Sequence, residues 1–519
     1  MPDAADCRRS VYLILTAVAL AVCVARVFGA ENVYEPSRHT APEGGYSAIP
    51  PDPPRHWPSA RPEPTPMFSS NDKSRWATVR ALVDDHTYAI GRRVYPDGRD
   101  PKRFSDEGIV TEPQFKSLDI VLRPLGESAT GRQVREFYSS KPPLFPTLVA
   151  GEYWLLKRFL GWDMVRDRFR VIPTIILTVN VLPFFVYLVL LARLIEDSGR
   201  TDLGRLLAFT TAALGTYLIT FSGTLNNHSP AAYCVLFAAY PLVRAIHEKR
   251  DMTPTGYLCC GFFAALSATF DLPASAFLAA LGLPLLIAQP RKTLLFFAPA
   301  ALVPVVALLA CNYAALGQVL PAYSEFGGPW YNFEGSHWAK RGTPAGKGID
   351  FNTEPTPVYA FHLLFGHHGW FSLTPVWLLA LGGLVTLSFR SAADVQRLFQ
   401  RPGNAGATGG TRGTGWTREL FAAMTLVVSS VVFVFYLSRT QSYNYGGFTS
   451  GPRWLFWLIP LWVLAIPPLA DRLARWRVGR LVAVVLLAFS VFSVFYPAVN
   501  PWRHPWILNL LEFSGVLRY

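Results

Sequence analysis

Charge is scarce in this chain of 519 residues: Asp, Glu, Lys and Arg together make up 16% of it, where a soluble globular chain carries about 25%. That shortage excludes a soluble enzyme and a disordered polar chain. Cysteine is scarce too, at six residues (Cys7, Cys23, Cys234, Cys259, Cys260 and Cys311). None stands in a long polar loop and no CxxC pair occurs, so neither a disulfide framework nor a zinc or redox motif is implied. Acids are outnumbered by bases, 35 to 48, for a net charge of +13. A basic balance can mark nucleic-acid binding, but here Lys and Arg gather in short loops between apolar runs. There they act as topology signals and meet anionic headgroups, so nucleic acid is excluded as a partner. What the chain has instead is apolar: 51% hydrophobic residues and a mean hydropathy of +0.25. The apolar residues run continuously over roughly 18–23 positions at a time, the length of a membrane-crossing helix. An outer-membrane barrel, which alternates polar and apolar residues, does not read this way.

The runs predict an all-α polytopic membrane protein with about eleven transmembrane helices. The first is 11–30, preceded by Arg8 and Arg9; it reads as an uncleaved helix with its amino end inside, the alternative being a cleaved signal peptide. The others are 171–192, 206–223, 229–246, 256–270, 272–288, 293–315, 371–389, 418–437, 453–470 and 480–497. The segment 142–161 is apolar but carries Glu152, Lys157 and Arg158. If it does not span, the inner loops hold Arg193, Arg200, Arg244, Lys249, Arg291, Arg397, Arg472 and Arg475, and the outer turn 224–228 holds no Lys or Arg. If it spans, every later loop inverts and the positive-inside rule fails. It therefore reads as an interfacial amphipathic helix on the outer surface. The organisation that follows is a first helix (1–30), a Pro-rich extracytoplasmic tether (31–68), and a first extracytoplasmic loop with interfacial helices (69–170). Helices 2–7 (171–315) come next, then an aromatic and Gly-rich outer loop (316–370). Helices 8–11 (371–497) enclose an inner Gly-rich linker (391–417), and an outer tail (498–519) follows. The linker lacks the GKS/T of a phosphate-binding loop.

Six polar strings stand out on the predicted outer side. In "SSNDKSRWATVRALVDDHTYAI" (69–90), Trp76, Val79, Leu82 and Val83 recur at helical spacing, with Arg75 and Arg80 turned away. Ser69, Ser70 and Asn71 are cap candidates, so Asp72 sits near a helix start, either as a cap that favours the dipole or as a functional acid. Lys141 in "FYSSKPP" precedes an extended Pro-Pro and either meets an anionic lipid headgroup or simply snorkels. Asn226, Asn227 and His228 in "TLNNHSPAA" are costly at a membrane edge without partners, or else cap a helix. Asp271 in "SATFDLPAS" is a cap or an acid in a polar cavity. The string "YSEFGGPWYNFEGSHW" (323–338) sets Glu325, Trp330, Glu334 and His337 among aromatics, which suits a carbohydrate platform. Glu334 with His337, or the adjacent His367 and His368 in "FHLLFGHHGWFSLTP", allow a divalent metal without forming a tight ligand signature. In "QSYNYGGFTSGPRWLFWLIPLW" (441–462), Arg453 enters a span from outside and calls for an anionic partner such as phosphate.

On these strings the chain resembles the GT-C superfamily of membrane glycosyltransferases, closest to the bacterial branch of aminoarabinose transferases and protein O-mannosyltransferase-like enzymes. The resemblance covers roughly 10–250 well and the later spans loosely. "NDKSRWATVRALVD" matches the family's acidic helix start, which puts the catalytic acid on Asp72. "KPP" matches at Lys141, Pro142 and Pro143 and implies contact with the donor phosphate, and "GPRW" is similar to the family's arginine motif at Arg453. The chain departs from the pattern at Lys73 and Ser140, where the family often has acids. It departs again at His228, where the family has an acid, and at Asp271, where it has a lysine.

The resemblance implies a GT-C-like outer subdomain built from the first long loop. It also implies an inverting transfer of a sugar from a polyprenyl-phosphate donor to a hydroxyl of a lipid, glycan or protein acceptor. Transfer would take place on the extracytoplasmic face of the cytoplasmic membrane. Asp72 would be the base, and Lys141 and Arg453 would bind the donor phosphate. Arg75, Tyr138, Asn227, His228, Asp271, Glu325, Trp330, Glu334, His337 and Tyr445 would shape the sugar and acceptor pockets. No metal ligand is assigned, although a divalent metal is allowed. Two other classes remain open: a transporter or flippase of a lipid-linked or anionic substrate, and an inactive glycan-binding relative.

Overall fold

The computed structural model describes residues 4–33, 63–95, 103–123, 133–344, 346, 348–389, 416–440, 444–517 and 519. Most of the expected tether and nearly all of the Gly-rich linker therefore lie outside the described residues. The helices are α1 (Ala4–Phe28), α2 (Ser70–Asp84), α3 (Leu144–Leu160) and α4 (Arg168–Ser198). They continue with α5 (Asp202–Thr220), α6 (His228–Glu248), α7 (Pro254–Phe270), α8 (Leu272–Ala288) and α9 (Pro290–Leu316). After these come α10 (Thr356–Leu364), α11 (Trp377–Ser388), α12 (Arg418–Leu437), α13 (Arg453–Leu464), α14 (Pro467–Leu473), α15 (Arg477–Phe495) and α16 (Trp506–Phe513).

Among the described residues seven of these are long and apolar enough to cross a membrane: α1, α4, α5, α6, α9, α12 and α15. The pair α13 and α14, bent by 53°, makes an eighth if it is one span. The expected spans 256–270, 272–288 and 371–389 fall on the shorter apolar helices α7, α8 and α11. Length is what separates them: the 12 residues of α11 reach about 18 Å at 1.5 Å per residue, against a hydrocarbon core of about 30 Å.

The all-α expectation needs correction. The first long loop contains a four-stranded antiparallel sheet of β1 (Gly91–Tyr95), β2 (Ser105–Glu107), β3 (Ile120–Arg123) and β4 (Gln133–Ser139), in the order β2-β1-β4-β3. A two-residue ladder also joins Asn32–Val33 to Pro64–Thr65. The strands are three to seven residues long, and hydropathy windows wide enough to find spans average such alternations away.

The chain divides into two compact units: 1–26, 176–313 and 340–519 form one, and 27–175 with 314–339 the other. In the helical unit, polar groups are satisfied in place. Asn180 in α4 is fully buried and its amide donates to the carbonyls of Ser222 (3.0 Å) and Thr224 (2.8 Å), where the chain breaks between α5 and α6. Asp471 in α14 accepts from the Arg200 and Thr201 amides and the Thr201 hydroxyl, at 2.8, 2.9 and 2.6 Å, and so anchors the start of α5. Elsewhere apolar side chains such as Leu182, Leu294, Leu302, Val306, Val431 and Val434 face outward, the surface that lipid solvates.

In the other unit α2 packs against α3 and the sheet. Leu144, Phe145, Val149 and Tyr153 fill the inner face of α3, while Leu148, Trp154, Leu155 and Phe159 stay exposed. Val121, Tyr138, Ala315, Leu316, Ala322 and Tyr331 form a further core there, with Phe326, Trp330 and Trp338 packed on it.

Candidate active site

Three stretches of the sheet-bearing unit meet around the start of α2. Ser69 is the N-cap, its hydroxyl accepting the Asp72 amide at 3.2 Å. The Asp72 carboxylate turns back to accept the Phe68 amide at 3.1 Å, a reciprocal pair that satisfies two otherwise orphaned donors. Asp72 is 1% exposed. Alongside, the Ser117 hydroxyl donates to the Ser70 carbonyl at 2.7 Å and the Leu118 amide to the Ser70 hydroxyl at 3.1 Å. This ties the stretch before β3 to α2. The next residue, Asp119, receives the Lys141 ammonium at 2.7 Å and, on its carbonyl, the Ser140 amide at 3.0 Å. The Ser139 and Ser74 hydroxyls close the circuit at 3.2 Å. Helix start, Asp119 and the "SSKPP" turn are thus one hydrogen-bonded assembly.

Lys73 is buried beside Asp72. Burial pushes its ammonium below the usual lysine range, and the Asp72 charge opposes that shift without cancelling it. Arg75 and Arg80 do not turn away as the helical spacing predicts. Arg75 is 2% exposed and bonds the Asn71 carbonyl (2.9 Å) and side chain. Arg80 pairs with Glu112 (2.6 Å) and Asp84 (3.4 Å). The helix is covered on more than one face because the sheet and α3 both pack on it, so its arginines stay inside with partners.

Tyr138 lies in the core described above, its hydroxyl donating to Glu136. Burial first and that carboxylate second hold the phenol above its usual range. The aromatic string 323–338 also folds into this unit. Phe326 meets Tyr331 and Trp338 edge-on at 5.1 and 5.4 Å, and His337 meets Trp338 at 5.0 Å. The Trp330 carbonyl accepts the Leu122 amide at 3.0 Å, extending the edge at β3. Glu325 is half-buried; Glu334 is exposed, and its carbonyl accepts from Arg93 at 2.9 Å.

The remaining residues belong to the helical unit. His228 opens α6 and Asp271 follows α7, and the structure joins them: Nδ1 and Oδ2 are 2.7 Å apart and both side chains are buried. The Asn227 amide donates to the Phe270 carbonyl at 2.5 Å, clamping the same two helix ends. Arg453 donates to the Gly446 carbonyl at 3.0 Å and lies over the Trp502 ring at 4.7 Å. Tyr445 is buried at φ +53°, stacked on Tyr359 (4.5 Å), with its hydroxyl on Glu354.

That glutamate is one of three side chains, Glu354, His362 and His367, whose ligand atoms lie within 4.8 Å of one another and could hold a metal. Glu334 and His337 belong to no such three-residue group among the described residues. Sequence reading missed Asp119, which stands alone before a short strand, and Glu354. It also gave no role to His362, five positions before the His367 it singled out.

No protein-family model and no curated protein matches this chain. Solved structures of the oligosaccharyltransferase of Archaeoglobus fulgidus do match. The apo form is 10% identical with a TM-score of 0.45, covering 97% of this chain and 57% of that one. The complex with Zn and sulfate is 11% identical, TM-score 0.41, covering 95% and 53%. The form tethered to an acceptor peptide containing the NVT sequon is 11% identical, TM-score 0.42, covering 94% and 54%. The chain spans little more than half the length of these solved chains.

Proposed function

We propose that this chain is a GT-C glycosyltransferase that moves a sugar from a polyprenyl-phosphate donor to a hydroxyl on a lipid, glycan or protein acceptor, with inversion, at the outer face of the cytoplasmic membrane. One observation carries the reading. The two strings that resemble the family, "NDKSR" and "SSKPP", are 69 positions apart from Asp72 to Lys141 (141 minus 72), yet both are hydrogen-bonded into one assembly through the 117–119 stretch. Separate caps and a snorkelling lysine have no need of such convergence.

In this reading Asp72 accepts the proton of the acceptor hydroxyl as that oxygen attacks the anomeric carbon. The bond from that carbon to the phosphate oxygen breaks, and the lipid phosphate leaves with the electron pair. Lys141 stabilises the leaving phosphate by exchanging its Asp119 partner for it, and Arg453 is proposed as a second phosphate-binding side chain. Positioned general bases contribute about 10²–10⁴-fold.

The test supplies purified chain in bilayers with radiolabelled polyprenyl-phosphate sugars and a membrane extract as acceptor source. Asp72→Asn should lose at least about 100-fold in transfer while still binding donor, and Lys141→Ala should lose donor binding. Full activity in both variants would sink the proposal. So would label accumulating inside vesicles without a covalent product, which is the transporter's signature.

A further inference from the structure

We propose that Glu354, His362 and His367 bind a first-row divalent cation, zinc by the chemistry of the ligands. The site lies within the helical unit, uses no residue of the Asp72 assembly and does not rest on the transferase reading. The backbone builds it locally. Glu354 lies in the extended stretch before α10, His362 is on α10, and the chain turns back after α10 so that the His367 ring stacks on His362 at 4.0 Å. Gly366 makes that return, for a Cβ there would meet the His362 Nδ1 at 2.2 Å.

The donor set decides the class of ion. Two imidazoles and a carboxylate suit zinc and its neighbours, whereas calcium and magnesium take oxygen ligands. Zinc bonds of about 2.0–2.2 Å set ligand atoms about 3.3–3.6 Å apart, so a spread of up to 4.8 Å closes with side-chain movements of about 1 Å.

Two further observations point to a cation. The first is charge. The Glu354 oxygens take the hydroxyls of Tyr445 and Tyr519 (2.9 Å for Tyr519), and among the described residues no Lys or Arg pairs with this carboxylate. A half-buried carboxylate among neutral partners is a costly arrangement that a divalent ion relieves. The second is unsatisfied nitrogen: His362 Nδ1 and His368 Nε2 are buried without hydrogen-bond partners.

The two tyrosine hydroxyls hold Glu354, and both His367 ring nitrogens have partners, Nε2 the Tyr519 hydroxyl and Nδ1 the His368 Nδ1 at 2.6 Å; a cation would displace one of these and keep the other as an outer partner, of the kind that tunes metal affinity about 10–100-fold. A cation here would fasten α10 and its return turn to the segments carrying Tyr445 and Tyr519.

The experiment strips the full chain with EDTA in detergent, removes the chelator and titrates Co2+ as a visible probe, then Zn2+ as competitor. One equivalent of Co2+ should give an absorption band that Zn2+ abolishes. Glu354→Gln and His367→Ala should each weaken Co2+ binding by about 100-fold or more, Tyr445→Phe by about 10–100-fold, and the exposed-residue control His86→Ala not at all. A measurement free of substitutions guards against misfolded variants: Zn2+ added to stripped wild-type chain should raise its melting temperature in a concentration-dependent way. Absence of both the Co2+ band and the Zn2+-dependent shift in the wild-type chain overturns the proposal. Unchanged Co2+ binding in the Glu354→Gln, His367→Ala double variant overturns it as well.

Discussion

Lys73 and Asp72 are neighbours buried together at the start of α2, and burial makes the lysine a cost to the fold. Its folded-state pKa lies below the ordinary 10.5, so the unfolded chain holds the proton more tightly. The penalty is therefore complete at pH values below the depressed pKa and fades as pH rises towards 10.5. Lys73→Met should accordingly melt higher than wild type at neutral pH, and the gap should shrink in scans approaching pH 10.5. A gap that widens with pH would contradict the assignment. His228 and Asp271 offer a second test. Here the two buried side chains touch at 2.7 Å. His228→Asp alone should destabilise by about 3–5 kcal/mol, the usual cost of an unpaired buried charge. Adding Asp271→Lys should recover most of that in a double-mutant cycle of thermal denaturation.

At the scale of elements, close helix approach is set by single glycines. A Cβ on Gly383 in α11 would lie 1.9 Å from the Ala465 carbonyl oxygen at the bend between α13 and α14, and one on Gly261 in α7 would lie 2.1 Å from that of Phe297. Small residues let backbones meet in this way in membrane bundles. Gly383→Ala should lower stability by about 1–3 kcal/mol, the typical cost of overpacking. Gly151 in α3 meets nothing within 4 Å, and Gly151→Ala should instead be neutral or gain up to about 1 kcal/mol of helix propensity. Chemical denaturation of the two variants side by side separates packing from propensity. The same element, α3, carries one buried face and one exposed apolar face, which is how a helix lying at a membrane surface is built.

For the whole molecule, the distribution of Lys and Arg leads us to propose that the amino end lies inside and the first long loop outside. Cys7 and Glu334 are both exposed, so one reagent tests this arrangement. A membrane-impermeant maleimide applied to the outside of intact cells should label Glu334→Cys and leave Cys7 unlabelled until the membrane is opened. The reverse pattern would invert the topology and remove the outer-face site from the proposal.

Which segments are long apolar helices was legible in the sequence, because the cost of placing a residue in hydrocarbon is a property of that residue and its immediate neighbours. The helix start at Asp72 and the helix after Lys141 were legible for a similar reason: capping and Pro-Pro act over three or four positions. The sheet was not, since its strands are stabilised by partners across the chain; β1 pairs with β4 through a register linking Gly91 to Phe137. Nor was the union of His228 with Asp271 across 43 positions, or that of Glu354 with Tyr519 across 165. Each of those contacts gains its energy only after the intervening helices have packed. The sequence by itself thus determined where the seven long apolar helices and these two helix starts fall, and tertiary structure decided which other apolar runs end as shorter helices and which polar side chains share a partner.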